Sequence, residues 1–252
     1  MSRPNVLARQ VRLNQLAFWR NPESAFFNFA MPLGVLLIFG ATSANDTVPG
    51  RPGIGVLTLF VPGILAFAIV VVAYGNLAAT IAVQRADGVL KRIRATPLEP
   101  SVFVGGQILS VLATTLLIAF ATIAAGGIAF GALPRAAGIP QLLVVLTLGI
   151  ACFAALGIAV SAAIPTADAA GAVTNGTYLP LAMVSGMFSA NLHLPAPLDS
   201  IIGAFPLKAL ADGLRTAYDP AARGLPTANI AVLVIWLIAG IVLARRFFRW
   251  DP

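Results

Sequence analysis

Six long runs with almost no charge, each about as long as a bilayer is thick, constrain this chain more than any other feature. They are Ala25–Thr42, Gly55–Val83, Ser101–Leu133, Ile139–Ile164, Ala169–Ala190 and Thr227–Ala244. A helix crosses the hydrocarbon core with roughly 17–25 mostly apolar residues. The third run is long enough to tilt or to include a turn at the membrane surface. Pro32, Pro62, Gly63, Gly126, Gly127 and Pro180 lie inside these runs and would break soluble helices. In a membrane bundle neighbouring groups satisfy the freed backbone, and small residues let helices approach closely. Composition removes the soluble alternative. The chain is 59% hydrophobic and 10% charged, against roughly 45–50% and about 25% in soluble domains.

The charges that do occur are concentrated. The segment "QRADGVLKRIRATPLEP", residues 84–100, holds Arg85, Asp87, Lys91, Arg92, Arg94 and Glu99 between two apolar runs. Each basic residue at the bilayer centre costs about 2.5–3.5 kcal/mol, so four cost on the order of 10 kcal/mol, while each apolar residue returns only about half a kcal/mol. The segment is therefore a water-exposed loop. With the N-terminus in the cytoplasm and six alternating spans, Arg3, Arg9, Arg12, Arg20, Arg85, Lys91, Arg92, Arg94, Arg245, Arg246 and Arg249 fall inside. Arg51, Arg135, Lys208, Arg215 and Arg223 fall outside. That asymmetry fits the positive-inside rule and places both termini and the charged loop in the cytoplasm. The net charge of +7 is then explained by basic loops beside anionic lipid, without a nucleic-acid partner.

The first 24 residues lack the short apolar core of a cleavable signal peptide. Leu7, Val11 and Phe18 share one helical face, with Arg9, Arg12 and Arg20 roughly opposite and Leu16 on the basic side. This pattern predicts a helix lying on the inner membrane surface and ending at Asn21-Pro22, the alternative being a disordered basic tail. Within the charged loop, Asp87 is placed to cap a short helix over Gly88–Ala95 that Pro97 ends. Val89 and Leu90 each share a face with Ile93, whereas Lys91 and Arg94 project elsewhere. A short helix with an apolar stripe and a basic rim suits docking into a groove of a soluble partner. A loop that merely holds topology through its charge is the other reading.

Several function classes find no support. No phosphate-binding loop is present, since neither lysine follows a glycine. "VGGQI", at 104–108, only faintly resembles an ATPase signature and sits at the start of an apolar run, where two glycines at a helix entry explain it better. One cysteine, Cys152, and one histidine, His193, form no metal-ligand or catalytic cluster. No residue is assigned to catalysis or to a metal. Asp168 precedes the fifth run, where a carboxylate favours the positive helix end; a proton relay is the less favoured role. Tyr74, Asn76 and Thr80 in the second run are candidates for a translocation surface. So are Asn175, Thr177, Tyr178 and Ser185 from the fifth, although interhelical hydrogen bonds would serve them equally.

The charged loop resembles the first cytoplasmic loop of ABC-2 type ABC-transporter permeases, which often read E-R-E-x-G-T-L-x-x-L-x-x-T-P. Arg85, Gly88, Leu90, Thr96 and Pro97 match, Gln84 and Ala86 stand where acids are usual, and Ile93 where leucine is common. The later stretch "SGMFSANLHLPAPLDSIIGAFPLKALADGLR" is similar to a second family motif through Gly186, Phe188, Leu194, Pro195, Pro206, Leu207 and Arg215. The resemblance implies that residues 85 and 87–94 (Arg85, Asp87, Gly88, Val89, Leu90, Lys91, Arg92, Ile93 and Arg94) form the coupling helix that meets an ABC ATPase subunit. It also implies short re-entrant helices after the fifth span. The residues alone read Asp199–Tyr218 as one amphipathic helix broken at Pro206.

The expected fold is thus an all-α membrane protein with six transmembrane helices, an N-terminal surface helix, a cytoplasmic coupling helix and re-entrant helices before the last span. One transmembrane domain covers 1–252: surface helix 1–24, first two spans 25–83, coupling loop 84–100, next three spans 101–190, extracytoplasmic segment 191–226, and last span with basic tail 227–252. The expected function is the permease subunit of an ATP-driven exporter in a bacterial cytoplasmic membrane. By resemblance it pairs with a second permease subunit and with ATPase subunits that bind ATP and Mg, and it carries a hydrophobic substrate. Drug or antibiotic efflux comes first and lipid or glycolipid export second. The rivals, an ion-gradient-driven transporter or channel and an energy-independent scaffold, differ in needing no ATPase. Ion coupling would also call for charged groups within the spans.

Overall fold

The computed structural model describes residues 3–43, 46–47, 55–95, 100–186 and 195–248. Thr96, Pro97, Glu99, Phe188, His193 and Leu194 lie outside the described residues. Within them the chain is helical apart from turns, loops and one isolated bridge between Thr47 and Gly55. The helices are α1 (Arg3–Trp19), α2 (Pro22–Ser43), α3 (Val56–Ile69), α4 (Leu77–Ala86), α5 (Val89–Arg94) and α6 (Pro100–Phe130). After a 3-10 turn at Ala136–Gly138 come α7 (Ile139–Ser161), α8 (Ala169–Val184), α9 (Ala196–Gly203), α10 (Pro206–Arg215) and α11 (Thr227–Phe247). A π-helical stretch, Val70–Asn76, joins α3 to α4 without a break.

Five segments are long and apolar enough to cross a membrane: Ala25–Ser43, Val56–Ala86, Val102–Phe130, Ala136–Ser161 and Thr227–Phe247. The expected fifth span is shorter than its apolar run. Its helix, α8, has 16 residues, or about 24 Å at 1.5 Å per residue, less than the roughly 30 Å of hydrocarbon. It stops at Gly186, whose φ of 70° is left-handed, a conformation glycine adopts without the Cβ clash other residues suffer.

Val56–Ala86 is the axis of the bundle, since 78% of its apolar window is buried, against 11% for Thr227–Phe247 at the edge. Leu65 and Ile69 of α3 meet Ile150 of α7 and Leu210 and Leu214 of α10 in the main core. Small residues set the closest approaches, as expected where lipid offers no hydrophobic drive between helices. A Cβ on Gly240 of α11 would lie 3.1 Å from the Ala155 Cβ of α7.

The first helix lies along α6. Gln15 Nε2 donates to the Ser110 carbonyl at 2.7 Å, to Ser110 Oγ at 3.0 Å and to Thr114 Oγ1 at 2.9 Å. A Cβ on Gly106 would come within 2.4 Å of Gln10 Cγ, so the glycines of "VGGQI" provide the seat for α1. Leu7, Val11 and Phe18 are half-buried there while Arg9, Arg12 and Arg20 are exposed. Leu13, Leu16 and Trp19 are exposed as well, so α1 docks through a narrow stripe rather than a full apolar face.

The segment read from its residues as one broken helix is two helices meeting at Phe205–Pro206. Pro206 begins α10, where its missing N–H costs nothing. The apolar stripe of α10, Leu207, Leu210 and Leu214, is buried. Its polar side carries Lys208, Asp212 and Arg215.

Candidate functional site

The loop helix α5 follows Gly88, whose φ is 68°. The N-cap position of α5 is Gly88 rather than Asp87, contrary to the sequence expectation. A left-handed glycine directly before the helix sets the turn instead, and Arg92 Nη2 donates to the Asp87 carbonyl at 3.1 Å. The apolar stripe of α5 also faces the other way from the expected one. Leu90 is fully buried in a cluster with Leu77 and Ile81 of α4, Phe103 of α6, and Ala154 and Ile158 of α7, with Ile93 packed against it. The bundle supplies its own groove for this stripe. Asp87, Lys91 and Arg92 remain exposed, with Gly88 and Val89 half-buried. The backbone of Arg94 ends α5.

Arg85 points inward. It is 7% exposed, and its Nη1 donates to the Ser161 carbonyl at 2.9 Å while Nη2 donates to the Ile164 carbonyl. Carbonyls at a helix C-terminus lack intrahelical partners and carry the negative end of the helix dipole. A buried guanidinium satisfies both needs, so Arg85 ties the end of α4 to the end of α7.

Two cavities flank the segment from α3 to α4. The first has a volume of about 570 Å³. Phe153 and Leu156 of α7, Tyr178 of α8, Phe205 at the α9–α10 junction and Trp236 of α11 are among its walls. Its polar groups are Tyr74, Thr177, Tyr178 and the Trp236 indole, and among the described residues no charged side chain lines it. Thr177 donates to the Thr174 carbonyl at 2.7 Å, which leaves its oxygen to accept from Tyr74, also at 2.7 Å. The Tyr74 and Tyr178 rings meet edge to face at 6.3 Å.

Asn76 and Thr80 open onto a second cavity of about 400 Å³, between α1, α2, α4 and α6. There Asn76 Nδ2 donates to Asn28 Oδ1, and Gln107 Nε2 donates to Gln84 Oε1 at 3.0 Å. The sequence-predicted pathway residues of the second run are thus divided between two cavities. Tyr74 and Asn76 are two residues apart and so fall on opposite sides of the helix, as in any helix; both lie in the π-helical stretch, a feature that occurs often at functional sites.

The remaining candidates stand apart. Asn175 is exposed and lines neither cavity. Ser185 is buried and donates to the Ala182 carbonyl at 2.8 Å. Asp168 takes the position before α8 without a side-chain cap bond; Thr166 Oγ1 accepts from the Ala169 N–H at 3.3 Å instead.

Two residues of the late motif, Gly186 and Arg215, meet at the other end of the bundle. Arg215 Nη2 donates to the Gly186 carbonyl at 2.5 Å, its Nε to the Leu59 carbonyl at 3.4 Å and its Nη1 to Asp212 at 2.9 Å. Lys208 bridges Asp212 at 3.1 Å and Asp199 at 3.3 Å. Burial alone would lower the Lys208 ammonium, but the two carboxylates outweigh it and hold it above its usual value. Pro206 and Leu207 are buried, and exposed Pro195 precedes α9. Arg135, between α6 and α7, reaches the Thr216 and Ala222 carbonyls at 3.0 and 3.3 Å.

Sequence reasoning missed Phe153, Leu156, Phe205 and Trp236, because an apolar cavity wall reads like any apolar core. It also missed Asn28, Gln84, Gln107, Ser110 and Thr114. A signal for these existed. They are polar residues in or beside the first three apolar runs, the same feature that singled out Asn76.

No curated protein matches the chain. The family model described as ABC-2 type transporter matches residues 7–218. That range takes in nearly all of α1, the seated loop helix, the second cavity, the first cavity apart from its α11 wall, and the Arg215 network, and so most of the chain: it belongs to the ABC-2 type transporter family and is a membrane domain of that kind, a multi-pass permease component rather than an ATPase.

Proposed function

We propose that this chain is the permease subunit of an ATP-driven exporter that moves a hydrophobic or amphipathic compound, a drug or antibiotic first among them, across a bacterial cytoplasmic membrane. Energy comes from separate ATPase subunits, which bind ATP and Mg and press on the exposed face of α5 at Asp87, Lys91 and Arg92. A second permease subunit completes the complex. The observation that carries the cargo class is the uncharged cavity of about 570 Å³. Its size and its few hydroxyls among aromatic walls are those of a site for a drug-sized apolar ligand. A charged cargo would lie there unpaired at a cost of several kcal/mol.

The α9–α10 junction supports a re-entrant segment. Trp236 Nε1 donates to the Ala204 carbonyl at 2.8 Å, and Phe205 stacks on Trp236 at 6.0 Å. Trp236 lies nine residues into α11, about 13 Å along it at 1.5 Å per residue, so the chain turns back near mid-depth.

The test is efflux from proteoliposomes holding the permease with its co-expressed ATPase. Lipophilic drug efflux should be ATP-dependent and blocked by vanadate, and Trp236→Ala should weaken it about tenfold. Efflux that persists without the ATPase and follows an ion gradient refutes the proposal.

A further inference from the structure

We propose that the second cavity, between α1, α2, α4 and α6, binds one uncharged, hydroxyl-rich head of an amphipathic molecule, separately from the apolar cavity. At about 400 Å³ it lies within the roughly 300–1,000 Å³ of small-molecule sites. Amides dominate its polar wall: Asn14, Asn28 and Asn76 on one side, and Gln84 and Gln107 near the loop end. Each amide both donates and accepts hydrogen bonds, the pairing a sugar or polyol hydroxyl needs. Among the described residues no Asp, Glu, Lys or Arg lines it. Arg85, next in sequence to Gln84, turns toward Ser161 at the end of α7 and Ile164 just beyond it. An ionic head would therefore be buried without a counter-charge, which disfavours it strongly against a neutral one.

Two further features point to a ligand. Asn14 lines the cavity with a buried Nδ2 that has no hydrogen-bond partner among the described residues, while its Oδ1 accepts from Gln10 Nε2 at 3.4 Å. A buried unpaired donor in a native structure requires a reason, and a hydroxyl acceptor supplies one. The cavity also has apolar walls, from Phe18, Val72, Leu77 and Val83. A pyranose ring has the same two-sided character, hydroxyls at its rim and C–H groups on its face.

Depth argues for an attached tail. The lining runs along the helix from Gln84 back to Val72, about 18 Å at 1.5 Å per residue, from the end of the spans toward mid-membrane. Leu13 and Leu16 of α1, both exposed, lie on the helix that closes one side and offer a surface for an acyl chain.

The binding test needs neither ATPase nor transport, so it fails or succeeds independently of the exporter reading. The full chain is held in a polyoxyethylene detergent, which brings no competing sugar. It is titrated with monoglucosyl-diacylglycerol or with phosphatidylglycerol and followed by native mass spectrometry. One glucosyl lipid should bind, and phosphatidylglycerol should not displace it. Asn14→Leu and Thr80→Val should each weaken binding about tenfold, the worth of one hydrogen bond. Thr80 is exposed, so its variant keeps the fold, and Trp236→Ala should leave binding unchanged. Failure of free glucose to compete supports the tailed ligand, whereas displacement by glucose retains the sugar site and overturns the tail. Equal binding of both lipids, indifference to both cavity variants, or no adduct at all, as for a cavity that holds water only, overturns the site.

Discussion

Arg85 offers the sharpest test, because the sequence places it in a partner-facing loop and the structure buries it against α7. Replacing it with methionine keeps the length of the side chain and removes two charge-assisted hydrogen bonds, to Ser161 and Ile164. Each such bond contributes about 1.5–3 kcal/mol. Losing both also leaves the Ser161 carbonyl with only the Ile164 N–H, at 3.4 Å, and takes the guanidinium from the Ile164 carbonyl. Against that stands the relief of no longer burying a guanidinium, whose desolvation costs several kcal/mol. The difference leaves a destabilisation of about 2–4 kcal/mol. A chain of this size loses about 2–4 °C in Tm per kcal/mol, so Arg85→Met should melt about 4–16 °C lower. The protein carries its own reporter. Cys152 is the sole cysteine and is fully buried in α7, so a fluorogenic thiol dye reacts with it only as the bundle opens. Arg85→Lys keeps the charge but not the fork that reaches both carbonyls, and should fall between the two. If Arg85→Met melts within about 2 °C of the parent, the guanidinium ties nothing together and the anchoring argument is wrong.

Three further outcomes follow from the same geometry. Reversing the exposed charges, Lys91→Glu with Arg92→Glu, should leave the melt within about 1 °C, since exposed charges contribute little to stability. On the exporter reading it should also sharply reduce co-purification of the ATPase, and intact co-purification would remove this face as the contact. Leu90→Asp puts a carboxylate where a fully buried leucine sat and should cost at least about 3 kcal/mol; any loss of ATPase from it should come with a lowered melt, and loss without one would show that Leu90 contacts the partner directly. Finally, a Cβ at Gly138 would meet the Ala217 carbonyl oxygen at 2.3 Å, whereas one at Gly106 would meet the flexible Gln10 side chain at 2.4 Å. Gly138→Ala should therefore cost about 1–3 kcal/mol and Gly106→Ala well under half of that, as read by the same thiol-dye melt; equal effects would contradict the distinction between backbone and side-chain clashes.

The spans were legible because lipid imposes a length and an apolar composition that few other constraints imitate. Even so, Ala169–Ala190 misled, since an apolar run does not reveal that a left-handed Gly186 stops the helix after 16 residues. The loop helix was legible in position but not in orientation. Leu90 and Ile93 form the same stripe whether they meet a partner or the chain's own α4, α6 and α7, and only tertiary structure distinguishes the two. Arg85 was misread for a related reason. A basic residue beside a water-exposed loop looks exposed, and its partners are backbone carbonyls more than seventy residues away, which no sequence pattern encodes. Tyr74 and Asn76 stand out by polarity, and both line cavities; their two-residue spacing already sets them on opposite sides of a helix, whereas the local change in helical pitch that holds them is not announced by their sequence.

That change of pitch bears on how a push at the loop would travel. Leu90 and Ile93 bear at once on Leu77 and Ile81 of α4, on Phe103 of α6, and on Ala154 and Ile158 of α7. A force on α5 is therefore shared by three helices rather than delivered to a flexible loop. The Arg85 tie to Ser161 and Ile164 makes the ends of α4 and α7 move together. What lies above this rigid end is Val70–Asn76, where π-helical pairing replaces the regular α-helical ladder. Gly157 of α7 packs directly against it; a Cβ there would be 2.8 Å from the Tyr74 carbonyl. A close-packed interior shifts between discrete arrangements rather than flexing evenly, so strain from the loop end collects where the helical pitch already departs from α. Tyr74 opens onto the apolar cavity and Asn76 onto the polar one, so a bend at this point alters both together. On the exporter reading, one stroke at α5 would therefore reshape both cavities through a single element.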